Sequence, residues 1–261
     1  MTITDQFLLA MQAYQEIKTE LEPGAQPAPA AVKSPAKEVP GDDRFEVPDG
    51  SLLLGMADDG FPLLLDLYDP APGPLLVAGD GGSGKTALLQ SMARATDLRD
   101  PGDIQFGVLT PFTEEWVGLE TLPSCLGVWP IYHPAAGSFL SHLVAWAEDL
   151  PASRQVTLVL FDGLDLLATG GFQIRQSLRW LLLNGPQHQI WPVVTVNPGR
   201  LNRLETWLDF FQTRILGRVA RPQTARALVD DPAVDLAGLM PGQQFGLLRP
   251  ESWLKFWMLP A

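Results

Sequence analysis

The sequence predicts an α/β fold, a mainly parallel sheet with helices on both faces. Two observations predict it. Short apolar runs bounded by turn residues alternate with stretches of helical periodicity from Leu75 to Asp230. That is the pattern of strands buried on both faces and joined by crossover helices. One of the runs, Leu75-Leu76-Val77-Ala78, leads directly into Gly79-Asp80-Gly81-Gly82-Ser83-Gly84-Lys85-Thr86. This is the full G-x-x-x-x-G-K-T phosphate-binding loop, with a strand before it and a helix after it.

The elements follow in order. Residues 4–22 place Phe7, Met11, Tyr14, Ile17 and Leu21 at steps of four and three, the stripe of an amphipathic helix. Residues 23–50 are rich in Pro and Ala and read as an extended, semi-rigid linker. A helix on such a tether either folds back on its own domain or docks a partner or neighbouring subunit. Residues 51–261 form the nucleotide-binding domain. Its two first apolar runs flank Asp58-Asp59-Gly60, a hairpin signal. After the loop a helix runs from Thr86 to Thr96, and strands are expected over Ile104–Thr110 and Cys125–Tyr132. A helix over Ser138–Leu150 presents Phe139, Leu143 and Trp146 on one face. Then come a strand over Gln155–Phe161, a helix over Gln173–Leu183, a strand over Ile190–Val196 and a helix over Leu201–Phe211. A strand over Thr213–Val219, a short helix over Gln223–Asp230 and strands near Gln244–Leu248 and Trp253–Met258 complete the chain.

Composition narrows the function classes. With 46% hydrophobic residues the chain can bury a core, and its formal net charge of −12 argues against a general nucleic-acid coat. From Ser51 onward the only lysines are Lys85 and Lys255, while six of the thirteen arginines fall between Arg200 and Arg226. One cysteine, Cys125, permits no disulfide within the chain, and three scattered histidines form no metal-ligand pattern. The N-terminal sequence lacks a basic region before a long apolar run, and no stretch reaches transmembrane length, so no signal peptide or membrane insertion is expected and the location is expected to be cytoplasmic.

The chemistry gathers at the carboxyl ends of the strands, where ligands sit in such sheets. The glycines of the loop, from Gly79 through Gly81, Gly82 and Gly84, let the backbone turn its N–H groups inward around Asp80 and Ser83. With the N–H groups of Lys85, Thr86 and Ala87 at the helix start they form an anion cradle. Lys85 reaches the outer phosphates and the Thr86 hydroxyl ligates Mg²⁺. The apolar run ending at Phe161-Asp162 supplies the second acidic site, at which Asp162 holds Mg²⁺ directly or through water. The next residue is Gly163, which cannot act as a base. Asp165 is the nearest carboxylate, a candidate catalytic group or a helix cap, and Glu114 and Glu115 follow the second strand. Asn197 or Thr195, at the next strand end, is placed to contact a terminal phosphate, although Asn197-Pro198-Gly199 is also a good turn. One of Arg200, Arg203, Arg214, Arg218 or Arg221 is a candidate finger reaching a neighbouring subunit's phosphates; surface ion pairing is the plainer role for each.

These residues carry a family resemblance. LLLGMADDGFPLLLDLYDPAPGPLLVAGDGGSGKTALLQSMARA resembles the opening of FtsK/HerA-type motor ATPases, with Gly55, Gly60, Pro62, Asp66 and Leu67 in the hairpin pattern. QTRILGRVARPQTARALVDDPAVDLAGLMPGQQFGLL is similar to the same family's closing segment, so the resemblance spans residues 51–249. It implies a RecA-like P-loop NTPase core, ATP with Mg²⁺, and a homo-oligomer, usually a hexameric ring, that moves DNA or a polypeptide. Carried over, the loop, Thr86 and Asp162 match; Asn197 falls near the family's polar sensor, often Gln; Arg214 matches the arginine of its T-R-I segment. The resemblance expects Glu where Gly163 stands. It expects lysines and arginines for tracking DNA, which this acidic chain does not supply, and its winged-helix DNA reader has no counterpart in the sequence. Two functions follow: an oligomeric Mg·ATP motor, or a hydrolysis-deficient ATP-binding switch or assembly subunit that recruits a protein partner through residues 4–22. A small-molecule kinase is a weaker third, since no segment reads as a lid or substrate pocket.

Overall fold

The continuous apolar runs become the central strands because each is covered on both faces. The computed structural model describes residues 47–149, 155–229, 231, 234–250 and 252–259. The predicted helix at 4–22 and the linker through Glu46 lie outside these residues. Among the described residues, ten strands form one sheet. They are β1 (Ser51–Ala57), β2 (Pro62–Asp66), β3 (Leu75–Ala78), β4 (Ile104–Thr110), β5 (Cys125–Pro130), β6 (Val156–Phe161), β7 (Ile190–Val196), β8 (Thr213–Leu216), β9 (Gln244–Arg249) and β10 (Ser252–Met258). The order is β2-β1-β10-β9-β8-β3-β7-β6-β4-β5. From β8 to β5 every pairing is parallel; β9, β10, β1 and β2 add an antiparallel wing.

The helices are α1 (Lys85–Thr96), α2 (Pro134–Asp149), α3 (Leu164–Ala168), α4 (Phe172–Asn184), α5 (Glu205–Leu208) and α6 (Pro222–Leu228). Alternation along the strands divides the core in two. Leu76, Ala78, Val159 and Phe161 face α2, α3, α4 and the segment around Leu201–Phe211. Leu75, Val77, Leu158 and Leu160 face α1, Trp116 and the hairpin residues Leu52, Leu54 and Leu65. The stripe that α2 buries is Ala136, Leu140, Leu143 and Ala147. Of the face expected from the sequence, Leu143 lies on this stripe, while Phe139 and Trp146 are only partly buried at its flanks; Phe139 stacks on Trp129 of β5 with ring centroids 4.0 Å apart.

Four of the five hairpin-pattern positions have a structural reason. Gly55 lies at an irregularity in the β1–β2 register, where an added Cβ would stand 2.1 Å from the Trp257 carbonyl of β10. Gly60 turns the hairpin with φ of +85°. The Asp66 carboxylate accepts from Tyr68 N at 2.9 Å, and Leu67 is fully buried with its carbonyl accepting from Trp191 Nε1 at 2.9 Å. The hairpin is thereby fixed to β7, the strand beside the phosphate loop.

One predicted element differs. Leu201–Phe211 is not a continuous helix; a 3-10 turn over Pro198–Arg203 is followed by the single turn α5. Leu204 separates them with φ of −123°. The apolar spacing of Leu201, Leu204 and Phe211 arises because each reaches the same core from irregular backbone.

Candidate functional site

The strand order sets the site. β7 lies between β3, which carries the loop, and β6, which ends at Asp162. The loop ends at Gly84, with φ of +93°, and α1 begins at Lys85. No acidic residue stands in the first turn of α1. Its leading N–H groups therefore face outward as an anion site with no competing carboxylate on the same helix.

Lys85 Nζ donates to the carbonyls of Gly79 at 2.8 Å and Asp80 at 2.9 Å, spanning the loop. The Thr86 hydroxyl donates to Asp162 Oδ2 at 2.9 Å, and Thr195 Oγ1 donates to Asp162 Oδ1 at 2.8 Å. Both carboxylate oxygens are thus aimed by hydroxyls from the two flanking elements, α1 and β7. Mg²⁺ fits this donor set. It takes one or two protein oxygens and fills the rest of its shell with water and phosphate, and among the described residues no cluster of three or more His, Cys, Asp or Glu offers a fuller cage.

The loop is held from outside by segments distant in sequence. Asp80 N donates to the Arg218 carbonyl at 2.9 Å, and Asp80 Oδ2 accepts from Ala220 N at 2.8 Å. Gly242 N donates to the Ser83 carbonyl at 2.9 Å. Gly84 and Gly242 meet so closely that a Cβ on Gly84 would stand 2.4 Å from Gly242 Cα. Ser83 Oγ is buried without a hydrogen bond and wedges against Gly79 and Gly217, where an added Cβ would meet it at 2.4 and 3.2 Å. The sequence reading missed this outer shell. The Pro241-Gly242 turn was its available signal.

The remaining candidates are distributed as follows. Thr195, not Asn197, touches the Asp162 carboxylate. The Asn197 side chain accepts from Gly199 N at 3.0 Å and caps its own turn. Asp165, in the first turn of α3, is paired with Arg200 from the turn after β7. Glu114 and Glu115 are exposed in a 3-10 turn after β4. Arg214 is in register with Leu76, two residues before the strand end at Leu216. Its guanidinium donates to the carbonyls of Phe211 at 3.4 Å and Leu228 at 3.2 Å, away from the loop. Arg218 is exposed and donates to the Ala237 carbonyl at 3.2 Å. Gly163 caps α3 with φ of +119°, a conformation that side-chain-bearing residues rarely take.

Burial pushes the Lys85 ammonium below the ordinary lysine value of 10.5, opposed by the nearby Asp162 and Asp80 carboxylates. The sign follows by linkage. Between the lowered value and 10.5 the unfolded chain carries a proton at this lysine that the free folded chain has lost, so stability of the free protein rises with pH across that window. A phosphate held in the loop would favour the ammonium, so its affinity would fall across the same window and its binding would take up a proton. Calorimetric titrations with ATP just below pH 10.5, repeated in buffers of different ionisation heat, are expected to show net proton uptake that Lys85→Met removes. Equal enthalpies in all buffers for the unaltered protein would contradict this.

Comparison with known proteins places the fold. No protein-family model and no curated protein matches the sequence. Among solved structures, the pCW3 conjugation coupling protein TcpA, determined with ATPγS, matches 84% of this chain and 68% of its own at 16% identity, with a TM-score of 0.65. EssC (ATPases 2 and 3) from Geobacillus thermodenitrificans matches 81% of this chain at 12% identity and a TM-score of 0.64. The cytoplasmic domain of the Thermomonospora curvata type VII secretion ATPase EccC matches 81% at 15% identity and 0.61. This chain spans 45% of that EssC chain and 26% of that EccC chain. These structure neighbours are FtsK/HerA-type P-loop ATPases, and the fold expected from the resemblance is the fold found.

Proposed function

We propose that this chain binds Mg·ATP at residues 79–87 and serves as the ATPase domain of an oligomeric motor. The observation that carries this reading is the Thr86–Asp162–Thr195 chain of hydrogen bonds beside Lys85. It brings the phosphate loop, the candidate metal carboxylate and the intervening strand together, which supports a Mg·ATP site here. Lys85 neutralises the outer phosphates; Thr86 and Asp162 hold the metal, which supplies charge neutralisation at the transferring phosphoryl group. The substrate moved is DNA or a polypeptide, and the net charge of −12 favours a polypeptide. Residues 4–22 recruit a protein partner or a neighbouring subunit, and the assembly works in the cytoplasm. Among the described residues no helix is long and apolar enough to cross a membrane. The test is turnover of Mg·ATP with and without DNA, alongside a size measurement with and without nucleotide. A chain that binds no ATP sinks the proposal, and one that stays monomeric with ATP at high concentration sinks the oligomer.

Gly163 favours a second reading, an ATP-binding switch with little hydrolysis. The position after Asp162 lacks a carboxylate, and its backbone is built for glycine. Gly163→Glu is therefore expected to destabilise the fold rather than simply supply a base. A Cβ there meets the Leu166 side chain, with Cδ1 at 3.4 Å and Cγ at 3.7 Å, so space is adequate and φ is the obstacle. The strain is about 1–3 kcal/mol, read as a lowered melting temperature with turnover not raised. A gain in turnover at unchanged stability would contradict that expectation.

A further inference from the structure

The Asp165–Arg200 pair does more than decorate the rim of the site. It crosses the same two strand ends as the Asp162–Thr195 hydrogen bond. Asp162 and Asp165 follow β6, while Thr195 and Arg200 lie at and beyond the end of β7. The inner rung holds the metal carboxylate. The outer rung joins a mostly covered carboxylate, 18% exposed, to a guanidinium that is 45% exposed. An ion pair this open adds little to stability and is readily exchanged for another anion. Arginine presents a planar fork of donors that matches phosphate as well as carboxylate.

A nucleotide in the loop presents its phosphates to this rung unequally. The cradle of loop and helix N–H groups would hold the inner phosphates, and Thr86 and Asp162, which would hold Mg²⁺ against the γ-phosphate, stand on the side of the loop where β6 and β7 end. We infer that Arg200 is the residue that distinguishes ATP from ADP, and that Asp165 is the resting counter-ion from which the γ-phosphate takes it. The inference rests on the reading that the loop binds Mg·ATP. It gives the Asp165 carboxylate a role as competitor for Arg200, and it makes this arginine act within its own chain.

The experiment is equilibrium binding of Mg·ATP and Mg·ADP to the full chain and to Asp165→Asn, Arg200→Ala and the double variant, with melting curves for each. Arg200→Ala is expected to weaken ATP about tenfold or more, the loss of a charge-assisted contact, with ADP changed less than about twofold. Asp165→Asn is expected to tighten ATP about two- to fivefold by freeing Arg200, again sparing ADP. The gain must vanish when Arg200 is absent, so the double variant must bind ATP as Arg200→Ala does. Arg200→Lys, which keeps the charge but not the fork, is expected to fall between the unaltered chain and Arg200→Ala. Equal weakening of ATP and ADP by Arg200→Ala, or a gain from Asp165→Asn that persists without Arg200, would overturn the inference while leaving ATP binding standing. An unaltered chain that binds neither nucleotide overturns both.

Discussion

Lys85→Ala is expected to lower Mg·ATP affinity by about 10- to 100-fold and to remove whatever turnover the protein shows. The magnitude follows from the loss of charge-assisted hydrogen bonds to phosphate, worth about 1.5–3 kcal/mol each. The fold should survive the change. Lys85 bonds only the carbonyls of Gly79 and Asp80, while the loop is independently tied by Asp80 to Arg218 and Ala220 and by Ser83 to Gly242. A melting temperature within a few degrees of the parent is therefore the accompanying result. Lys85→Arg should not rescue binding, because a planar guanidinium cannot replace a compact ammonium seated between two carbonyls. Unchanged ATP affinity in Lys85→Ala, measured by direct binding, would remove the loop from the functional account.

The second large effect is structural. Alanine at Gly81, Gly82 and Gly84 should produce a graded series. At Gly81 an added Cβ meets nothing within 4 Å and φ is not in the left-handed region, so the fold should barely respond. Gly82 has the same free space but a φ of +73°, giving backbone strain alone, about 1–2 kcal/mol. Gly84 combines φ of +93° with a Cβ placed 2.4 Å from Gly242 Cα and 2.9 Å from its nitrogen. That contact is backbone, which cannot rotate away, and overpacking adds about 1–3 kcal/mol to the strain. With a melting shift of about 2–4 °C per kcal/mol for a domain of this size, Gly84→Ala should melt on the order of 5–15 °C lower. It should also lose ATP binding, because the Gly242–Ser83 bond shapes the cradle. Equal melting temperatures across the three variants would refute the close approach.

Much of this was legible in the sequence because it is local. The loop is one contiguous pattern, the strands announce themselves by burial on both faces, and Asp162 stands at the end of an apolar run. Thr195 was legible only as an alternative to Asn197. Two residues apart, Thr195 and Asn197 would share a strand face, and which of them meets Asp162 depends on where β7 ends: it stops at Val196, and the Asn197 side chain caps the following turn instead. The Asp80–Ala220 and Ser83–Gly242 bonds join residues far apart in the chain, and no spacing rule reports such pairs. Arg214 matched a motif, yet its guanidinium holds backbone carbonyls. The type of residue was readable; its partner was set by the sheet order.

The antiparallel wing has a consequence for the order in which the molecule can be made. β1 emerges first during synthesis, but its inner edge is completed by β10, with Ala57 awaiting Phe256 and Gly55 awaiting Met258. The strand bearing the phosphate loop waits too, since β3 is flanked on one side by β7 and on the other by β8. Until those late segments leave the ribosome, two leucine-rich strands have a bare edge, the kind of surface that invites wrong pairing. The Asp58-Asp59 turn and Pro62 at the head of β2 place charge and a missing donor at the hairpin that must wait longest. A nascent chain stalled before β8 would carry the whole G-x-x-x-x-G-K-T sequence and still lack the Arg218, Ala220 and Gly242 backbone that holds the loop from outside.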